Sequence, residues 1–517
     1  MDAAAAAAAA AANSVHGLIE AAARQWPDAV YAVATEQASQ LTCSQLRQRC
    51  RRVAALLAAQ GLAPGSTVAL VMPNGLGTLQ LLLGAMHAGY AVNPVNLLSQ
   101  AAQMRHVLAH CDASLVLAAP EWAEKVRALG VAGADGRPLT VLALDPDNLD
   151  DPLLPAAGID NPPPAPGSLA LLMYTSGTTG QPKGVMLSQA NLAANARAIA
   201  QEHQLGPSDR VLGVLPLYHI NAFAVTMLAP LASGGSVALA PKFSAARFWD
   251  QALQHHCTWI NGVPTIIAIL LETEPPDLAA LSAIRFCRSA SSALPPEHLR
   301  GFEARFGIGV IETMGLTETV APSFSNPLDP GQRKLGSVGR ASGGEARIID
   351  AQMQPVPDGQ TGELAIRGPQ VMQGYYKNPE ATALAFTPDG WLRTGDLGHR
   401  DGDGFFFVTG RIKELIIKGG ENIAPREIDE VLLQHPAVLE AAAVGMPDRV
   451  YGQDILACVV LRAGMAVNEA GLRAYCEQHL GRYKTPKLIR FVAALPRGPS
   501  GKVQRLKLLD DRLSWAV

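Results

Sequence analysis

The sequence has few charges for its length and almost no net charge. Of its 517 residues 17% are charged, and the charges sum to −3. No long basic stripe or acidic tail interrupts this balance. Nucleic acids and anionic membrane surfaces are bound through such concentrations of charge. These partners are therefore not expected, and small molecules are the better prediction.

The sequence also lacks paired cysteines, a basic leader and a long apolar run. Its seven cysteines are scattered and show no C-x-x-C spacing, which argues against a disulfide framework or a zinc site. An alanine run follows Asp2 without any lysine or arginine, unlike a secretory signal. No segment has the roughly 20 strongly apolar residues of a membrane span. We predict reduced core cysteines, a cytoplasmic protein, and an Ala-rich disordered lead-in at residues 1–16; the oligomeric state stays open, with a homodimer possible.

What the sequence does have is a large apolar fraction, 48%, in a repeating pattern. Short β-prone runs alternate with helix-like segments from about residue 50, as in βα units with mainly parallel strands. After about residue 335, D-G and G-Q turns separate short runs that suggest antiparallel strands. We predict an α/β fold whose N-terminal domain, residues 17–412, contains mainly parallel sheets flanked by helices and a small β-subdomain. Residues 413–517 form a small, mobile α+β domain.

The stretch "YTSGTTGQPKG" crowds glycine and hydroxyl side chains around one lysine, Lys183. It does not match the helix-opening phosphate loop G-x-x-x-x-G-K-[ST]. A strand is predicted before it, a second short strand after it, and Ser188 as the N-cap of the next helix. Glycine N–H groups and hydroxyls can surround an anion, but the same residues are common in surface turns. Taken alone, the stretch leaves both interpretations open. Its candidate phosphate-binding residues are Thr175, Ser176, Gly177, Thr178, Thr179, Gly180 and Lys183.

Four further stretches follow in order: "IETMGLTETVAPSF", "GWLRTGD", "GRIKELIIKGGENI" and "LPRGPSGKVQR". With the first loop they resemble the ordered motifs of the adenylate-forming superfamily, which contains acyl- and aryl-CoA synthetases, adenylation domains and luciferases. The resemblance extends from about Leu18 to Leu509. It implies ATP, Mg²⁺ and coenzyme A as ligands. It also implies a two-step reaction, in which a carboxylic acid forms an acyl-adenylate with release of pyrophosphate and then passes to coenzyme A.

The resemblance assigns roles to residues of the nucleotide site. Thr178 and Lys183 would contact the β- and γ-phosphates. Thr317 and Glu318 would hold the α-phosphate and Mg²⁺, for which a carboxylate is a suitable ligand. Asp396 would accept hydrogen bonds from the ribose hydroxyls, and Arg411 would hold the ribose or α-phosphate. Met314, followed by Gly315, stands where the family usually has an aromatic residue against adenine, and methionine can cover a ring face.

Other roles concern the small domain. Lys413 would be the hinge residue, and Lys502 would reach back to the reacting carboxylate and α-phosphate. After the hinge turns, the segment of Gly419, Gly420 and Glu421 would face the pantetheine tunnel. Taken singly, Lys502 could instead be a solvated surface charge, and Lys413 could belong to a charged turn.

The acid is harder to predict. His219 stands where the family gates the carboxylate pocket, although a histidine of this kind could equally be an interior residue. Arg288, Ser289 and Ser291 are candidates for the acyl or adenine side of the cleft. The surrounding segments look most like the branch that handles small polar acids such as oxalate, sulfoacetate and carnitine-type acids. If Arg288 points inward, a second acidic group on the substrate would satisfy it; if it points outward, it is uninformative.

We therefore predict an ATP-dependent carboxylate–CoA ligase for a small polar or dianionic acid. One alternative is a ligase for aromatic or medium-chain fatty acids, with Phe223, Trp259 and Ile260 lining an apolar pocket. Another is an adenylation enzyme that loads a separate carrier protein. A non-catalytic protein of the same fold would be expected to lack Lys502 or Glu318, and both are present.

Overall fold

The computed structural model describes residues 13–133, 136–175, 182–498 and 503–510. The strands within these residues are, in chain order, β1 (Val30–Ala34), β2 (Gln40–Thr42), β3 (Thr67–Val71), β4 (Ala91–Pro94), β5 (Ala113–Ala118), β6 (Thr140–Ala143), β7 (Leu169–Thr175), β8 (Lys183–Ser188), β9 (Arg210–Gly213), β10 (Ser236–Leu239), β11 (Trp259–Gly262), β12 (Phe286–Ser289), β13 (Val310–Leu316), β14 (Ala321–Ser325), β15 (Arg340–Ala341), β16 (Glu345–Ile349), β17 (Gly362–Arg367), β18 (Gly374–Tyr375), β19 (Leu392–Arg400), β20 (Phe406–Arg411), β21 (Ile416–Lys418), β22 (Glu421–Ile423), β23 (Val438–Asp448), β24 (Gly452–Leu461) and β25 (Leu488–Phe491).

The α-helices of the same residues are α1 (Val15–Gln25), α2 (Cys43–Ala59), α3 (Leu76–His87), α4 (Ala101–His110), α5 (Pro120–Ala128), α6 (Gln189–Glu202), α7 (Ala229–Ser233), α8 (Phe248–Gln254), α9 (Pro264–Leu271), α10 (Pro296–Phe306), α11 (Pro379–Ala385), α12 (Pro425–Leu433) and α13 (Glu469–Lys484). A π-helix, Asn221–Leu228, precedes α7. Short 3₁₀ turns include Thr317–Thr319 and Ile412–Glu414. Ser188 caps α6 by accepting a hydrogen bond from the backbone N–H of Asn191, as predicted.

Two large sheets form the N-terminal part of the protein, and their interior strands are parallel. One sheet has the order β15-β14-β13-β12-β11-β9-β10-β1-β2, and the other has the order β18-β8-β7-β4-β3-β5-β6. Antiparallel pairing is confined to the ends of both sheets. Strand β3 is buried along its whole length, which explains its almost continuously apolar sequence. The predicted α/β architecture is confirmed.

Two smaller sheets follow along the chain. Strands β16, β17, β19 and β20 form an antiparallel sheet, which is the predicted β-subdomain. Strands β21 to β25 form the last sheet, whose core includes Ile416, Ile428 and Leu472. Helices α12 and α13 supply the last two of these side chains. This last unit therefore has its own hydrophobic core, beginning just after the predicted boundary.

Residues 1–12 of the predicted Ala-rich lead-in lie outside the described residues. Ser14 accepts a hydrogen bond from the Gly17 backbone N–H and caps α1, and Val15 is buried. The folded chain therefore begins before residue 17, because the cap and the first apolar residue fix the start of the helix.

All seven cysteines fall in the described residues, where they are buried and unpaired. Their burial agrees with the prediction that they are core residues. Among the helices of the described residues, none combines the length and the hydropathy that a membrane span requires.

Candidate functional site

Strands β7 and β8 form an antiparallel hairpin that opens toward the predicted phosphate loop. The pairing ends with Thr175 opposite Lys183, and both side chains are partly exposed there. The hairpin therefore brings together the two ends of the Gly/Thr-rich stretch. The residues between them that were predicted to bind phosphate, Ser176, Gly177, Thr178, Thr179 and Gly180, lie outside the described residues, as does Lys502.

A tight turn between β13 and β14 positions the second motif. Gly315 packs so closely that a Cβ atom there would lie 1.8 Å from the Ala321 carbonyl oxygen, so only glycine fits. Met314 is half-buried against the apolar cluster that contains Phe324. Thr317 and Glu318 lie in the 3₁₀ turn that follows. The turn places Glu318 at the partly exposed edge of the fold.

Glu318 and Lys183 are connected through a residue that the sequence analysis missed, Tyr375. The Tyr375 hydroxyl donates to Glu318 Oε1 at 2.9 Å. The ammonium of Lys183 lies 4.8 Å from the centre of the Tyr375 ring, within cation–π range. Two predicted phosphate-site residues from different motifs therefore share one aromatic side chain.

Asp396 and Arg411 stand opposite each other on β19 and β20 and form an ion pair. Arg411 Nε donates to Asp396 Oδ1 at 2.7 Å, and the second contact, Arg411 Nη2 to Oδ2, is 3.4 Å. Burial disfavours the charge on Arg411, but the carboxylate of Asp396 outweighs it and raises the pKa of Arg411. The two residues predicted to hold the ribose thus form one preorganised unit.

The side chain of Arg288 is buried in the interior of the N-terminal part of the protein. It lies on β12, its residue is only 1% exposed, and its neighbours in strand register are Asn261 and Ile311. Arg288 Nη1 donates to Asn221 Oδ1 at 2.6 Å and to Asn261 Oδ1 at 2.8 Å. We refer to Arg288, Asn221 and Asn261 as the arginine–amide cluster.

The arginine–amide cluster contains no acid. Within the described residues Arg288 has no carboxylate partner, and burial lowers its pKa to about 9. Among the described residues, Arg288 Nε and the Nδ2 atoms of Asn221 and Asn261 are buried without a hydrogen-bond partner. A buried guanidinium surrounded by unused donors is costly for a folded protein. An anion is the chemical group that would satisfy all of these donors.

His219 lies two residues before Asn221, at the start of the segment that becomes the π-helix. It is partly exposed, and its ring packs edge-on against Tyr218 with centroids 4.8 Å apart. π-Helical turns are rare and often occur at functional sites. Ser291 lies beyond β12 with a left-handed backbone, φ 78°, in a partly exposed turn. His219 is therefore a sequence neighbour of the cluster residue Asn221, and among the described residues no hydrogen bond joins Ser291 to the cluster.

In the last sheet, Gly419 and Gly420 form the two-residue loop between β21 and β22. Both have positive φ, 56° and 89°, as a type I′ hairpin turn requires. Glu421 follows and is exposed, and Lys413 is exposed in the turn between β20 and β21. These residues therefore sit on solvent-facing turns.

Two site residues were missed because their neighbours come from distant parts of the chain. Tyr375 joins the site through pairing of β18 with β8, almost 190 positions earlier in sequence. Asn261 is the polar residue near the carboxyl end of β11, whose sequence is "WING". A polar residue at the carboxyl end of a parallel strand is a signal that could have pointed to it. Asn221 was noticed only as a neighbour of His219.

Comparisons with known proteins identify the family of this chain. A family model described as AMP-binding enzyme matches residues 19–376, and one described as AMP-binding enzyme C-terminal domain matches residues 427–502. A sulfoacetate–CoA ligase of Cupriavidus necator is 57% identical over 96% of this chain and 98% of its own length. An oxalate–CoA ligase of Arabidopsis thaliana is 37% identical over 95% of this chain and 97% of its own.

Among solved structures, ATP-bound MatB from Rhodopseudomonas palustris matches with a TM-score of 0.89. It is 31% identical, and the match covers 95% of this chain and 98% of that one. The o-succinylbenzoate CoA synthetase MenE from Bacillus subtilis, solved with its acyl-adenylate, matches at a TM-score of 0.85 and 28% identity, covering 96% and 99%. Because family models and relatives together span nearly the whole chain, the protein belongs to the family of AMP-binding enzymes, within the adenylate-forming superfamily that its motifs resemble.

Proposed function

We propose that this enzyme is an ATP-dependent ligase that joins a small dianionic carboxylic acid, with sulfoacetate as the first candidate, to coenzyme A. Two observations of different kinds support the substrate class. The sulfoacetate–CoA ligase of Cupriavidus necator shares more than half of its residues with this chain. The arginine–amide cluster supplies a buried cation whose partners are only neutral amides, and this is the observation that carries the proposal.

The reaction has two steps. A carboxylate oxygen of the acid attacks the α-phosphorus of ATP, the bond to pyrophosphate breaks, and an acyl-adenylate forms. The sulfur of coenzyme A then attacks the acyl carbonyl carbon, loses its proton, and expels AMP. Activation is needed because a free carboxylate would have to lose an oxide ion, whereas the mixed anhydride loses AMP.

The nucleotide would lie between the β7–β8 hairpin, the 3₁₀ turn of Glu318 and the Asp396–Arg411 pair. Arg411 orients Asp396, so that the carboxylate can accept from ribose hydroxyls. Lys183 contributes positive charge where the phosphates would lie, and Lys502 is proposed to add a second lysine during adenylation. Fixed charges of this kind stabilise the transition state of phosphoryl transfer because they require no reorganisation during the reaction.

Glu318 fits the proposed role of magnesium ligand. Its Oε1 is engaged by Tyr375, whereas its Oε2 has no hydrogen bond from the described residues. A partly exposed carboxylate oxygen is the kind of ligand that Mg²⁺ binds. When bound, the ion would neutralise phosphate charge.

On the acyl side, the distal anionic group of the substrate would lie against the arginine–amide cluster, with its carboxylate toward the nucleotide. Arg288 Nε and the two free amide NH₂ groups can donate to sulfonate or carboxylate oxygens. His219, which precedes the π-helix by two residues, is proposed to gate the pocket for the acid.

The alternative of an apolar acid receives less support. Phe223, Trp259 and Ile260 are at most 1% exposed and belong to the hydrophobic cores on the two faces of the large sheet. Trp259 stacks on Phe286 with centroids 5.5 Å apart. Their packing is therefore already accounted for by the fold.

We also propose that residues 413–517 move as a unit about Lys413 between the two steps. Lys413 is exposed in the short 3₁₀ turn that links β20 to the independently packed last sheet. Hinge residues are typically such loop positions, which absorb backbone rotation without disturbing a core.

Pyrophosphate release and thioester formation with a panel of acids test the proposal. The panel contains sulfoacetate, oxalate, carnitine, benzoate and hexanoate, each with and without coenzyme A. We expect sulfoacetate to have the highest kcat/KM and thioester to form only with coenzyme A. A preference for benzoate or hexanoate would support the apolar alternative. Adenylate formation without transfer to coenzyme A would support a carrier-protein acceptor, and no turnover of any acid would refute the ligase proposal.

A further inference from the structure

Tyr375 is held in place by its backbone on both sides. Strand β18 pairs with β8, so that Tyr375 stands opposite Val185, two residues after Lys183. The backbone N–H of Tyr375 donates to Thr382 Oγ1 at 2.9 Å, and that of Tyr376 donates to the Gly184 carbonyl oxygen at 2.7 Å. A residue tied to two elements in this way loses little further entropy when its side chain makes a contact.

The preceding glycine is required by this arrangement. Gly374 has φ 145°, and a Cβ atom there would lie 2.8 Å from Thr382 Cγ2. The chain therefore passes tightly under α11 before it reaches Tyr375, which fixes the direction in which the tyrosine side chain leaves the strand.

The segment before Tyr375 also holds the backbone of Glu318. The N–H of Met372 donates to the Glu318 carbonyl oxygen at 2.8 Å, while the Tyr375 hydroxyl holds Glu318 Oε1. The Tyr375 hydroxyl is the donor in this contact, because an ionised carboxylate can only accept. Residues 372–375 thus fix both the main chain and one carboxylate oxygen of Glu318.

We infer that Tyr375 is a positioning residue for the ATP site: its hydroxyl orients the Glu318 carboxylate and leaves Oε2 available for a metal ion, and its ring contacts and positions the Lys183 ammonium. The inference rests on the roles proposed above for Glu318 and Lys183. It predicts that metal affinity and lysine placement depend on one side chain through two separable groups, the hydroxyl and the ring.

Two substitutions separate these groups. Tyr375→Phe removes the hydroxyl and keeps the ring, so the benefit that Mg²⁺ gives to ATP binding should fall about tenfold, because a hydrogen bond to a charged group is lost. ATP binding without metal should stay within about twofold of the wild type. Tyr375→Leu removes both groups and should also weaken metal-free ATP binding about threefold, the scale of an exposed cation–π contact. Calorimetric titration with ATP, in EDTA and at increasing Mg²⁺, measures both quantities without turnover.

The neighbouring tyrosine is a matched control. Tyr376 also donates its hydroxyl to a carboxylate, Asp112 Oδ2 at 2.7 Å, but that acid lies on the α4–β5 turn and is paired with Lys377. Tyr376→Phe makes the same chemical change one residue away. It should leave the Mg²⁺ dependence of ATP binding as in the wild type.

Each outcome is decisive. Unchanged Mg²⁺ dependence in Tyr375→Phe, an equal loss in Tyr376→Phe, or wild-type ATP binding that ignores Mg²⁺ would overturn the inference. If the wild type shows the predicted Tyr375-dependent Mg²⁺ effect but converts no acid to a thioester, the inference stands and the proposed ligase function fails. If it converts sulfoacetate while Tyr375→Phe binds Mg²⁺ and ATP normally, only the inference fails.

Discussion

Arg411 is proposed to act on the nucleotide and Arg288 on the acid, and the two arginines differ in their surroundings. Arg411 meets Asp396 across two antiparallel strands, and its pKa is raised. Arg288 meets two asparagines on the face of the large sheet, and burial lowers its pKa to about 9. The first arginine is complete as the protein stands, whereas the second has donors that only a further group can use.

We propose that this difference separates recognition of the nucleotide, at the Asp396–Arg411 pair, from recognition of the acid, at Arg288. Arg411, which is paired, orients the Asp396 carboxylate, to which the ribose of ATP is proposed to bind. An arginine without an acid keeps its charge for the substrate, at a cost to the folded state. Breaking the first should affect every acid alike, and breaking the second should affect only acids with a second negative charge.

The largest effect is expected at Asp396. Asp396→Asn keeps the shape of the side chain but removes the charge that holds Arg411 and accepts the ribose hydroxyls. We expect kcat/KM for ATP to fall about 100-fold with every acid, because hydrogen bonds to a charged group are lost. Steady-state kinetics at saturating acid measures this.

A control for that substitution is available in the same sheet. Asp358 accepts a hydrogen bond at 2.6 Å from Nε of Arg400, the last residue of β19, and both side chains are exposed. Asp358→Asn should leave kcat/KM for ATP unchanged, since exposed pairs contribute little. Wild-type kinetics in Asp396→Asn would contradict the role given to the pair.

Burial shifts the pKa of the acid Glu312 upward, whereas it shifts the pKa of the base Arg288 downward. Burial raises the pKa of Glu312, on β13, to about 7, even though its Oε1 accepts from the Leu294 N–H and Arg426 lowers the pKa. The unfolded pKa is about 4.3. The folded state therefore holds the proton more tightly, and the stabilising contribution, full below pH 4, is lost as pH rises through 7.

Wild-type protein should thus lose about 2 to 3 kcal/mol of unfolding free energy from this group between pH 5 and pH 8. Glu312→Gln cannot titrate and should lack that part of the pH dependence. Denaturant unfolding of both proteins at the two pH values gives the difference. Equal pH dependence would show that Glu312 titrates normally.

The smallest effect is expected on stability at Arg288. Arg288→Met removes a desolvated charge, which favours folding, but also removes the donor that Asn221 and Asn261 share. These contributions oppose each other, so unfolding free energy should change by no more than about 1 kcal/mol. Thermal or denaturant unfolding checks this. A loss of 3 kcal/mol or more would mean that Arg288 is mainly a structural residue.

Local patterns were enough to predict the elements around the phosphate loop. The Ser188 cap and the two strands that flank the loop depend on neighbouring residues, and the structure has them where expected. The order of the motifs was enough to identify the family. These features follow from short-range sequence because capping and strand formation are local.

The acid pocket could not be predicted in the same way. Strand alternation gives Arg288 one of two faces but does not say which face meets the π-helix. Its partners Asn221 and Asn261 are 67 and 27 positions away in sequence. Tyr375 likewise reaches Glu318 only through strand pairing between distant segments. The surroundings of Arg288 and the contact between Tyr375 and Glu318 therefore depend on tertiary packing, which short-range sequence patterns do not reveal.

The central claim is that Arg288 is reserved for the second charge of the acid. Sulfoacetate and methylsulfonylacetate have nearly the same shape, but only the first carries a distal negative charge. We measure kcat/KM for both acids in the wild type and in Arg288→Met. The ratio that favours sulfoacetate should fall about 30-fold or more in the variant, the scale of losing one partner of a buried charge pair. An unchanged ratio would contradict the claim.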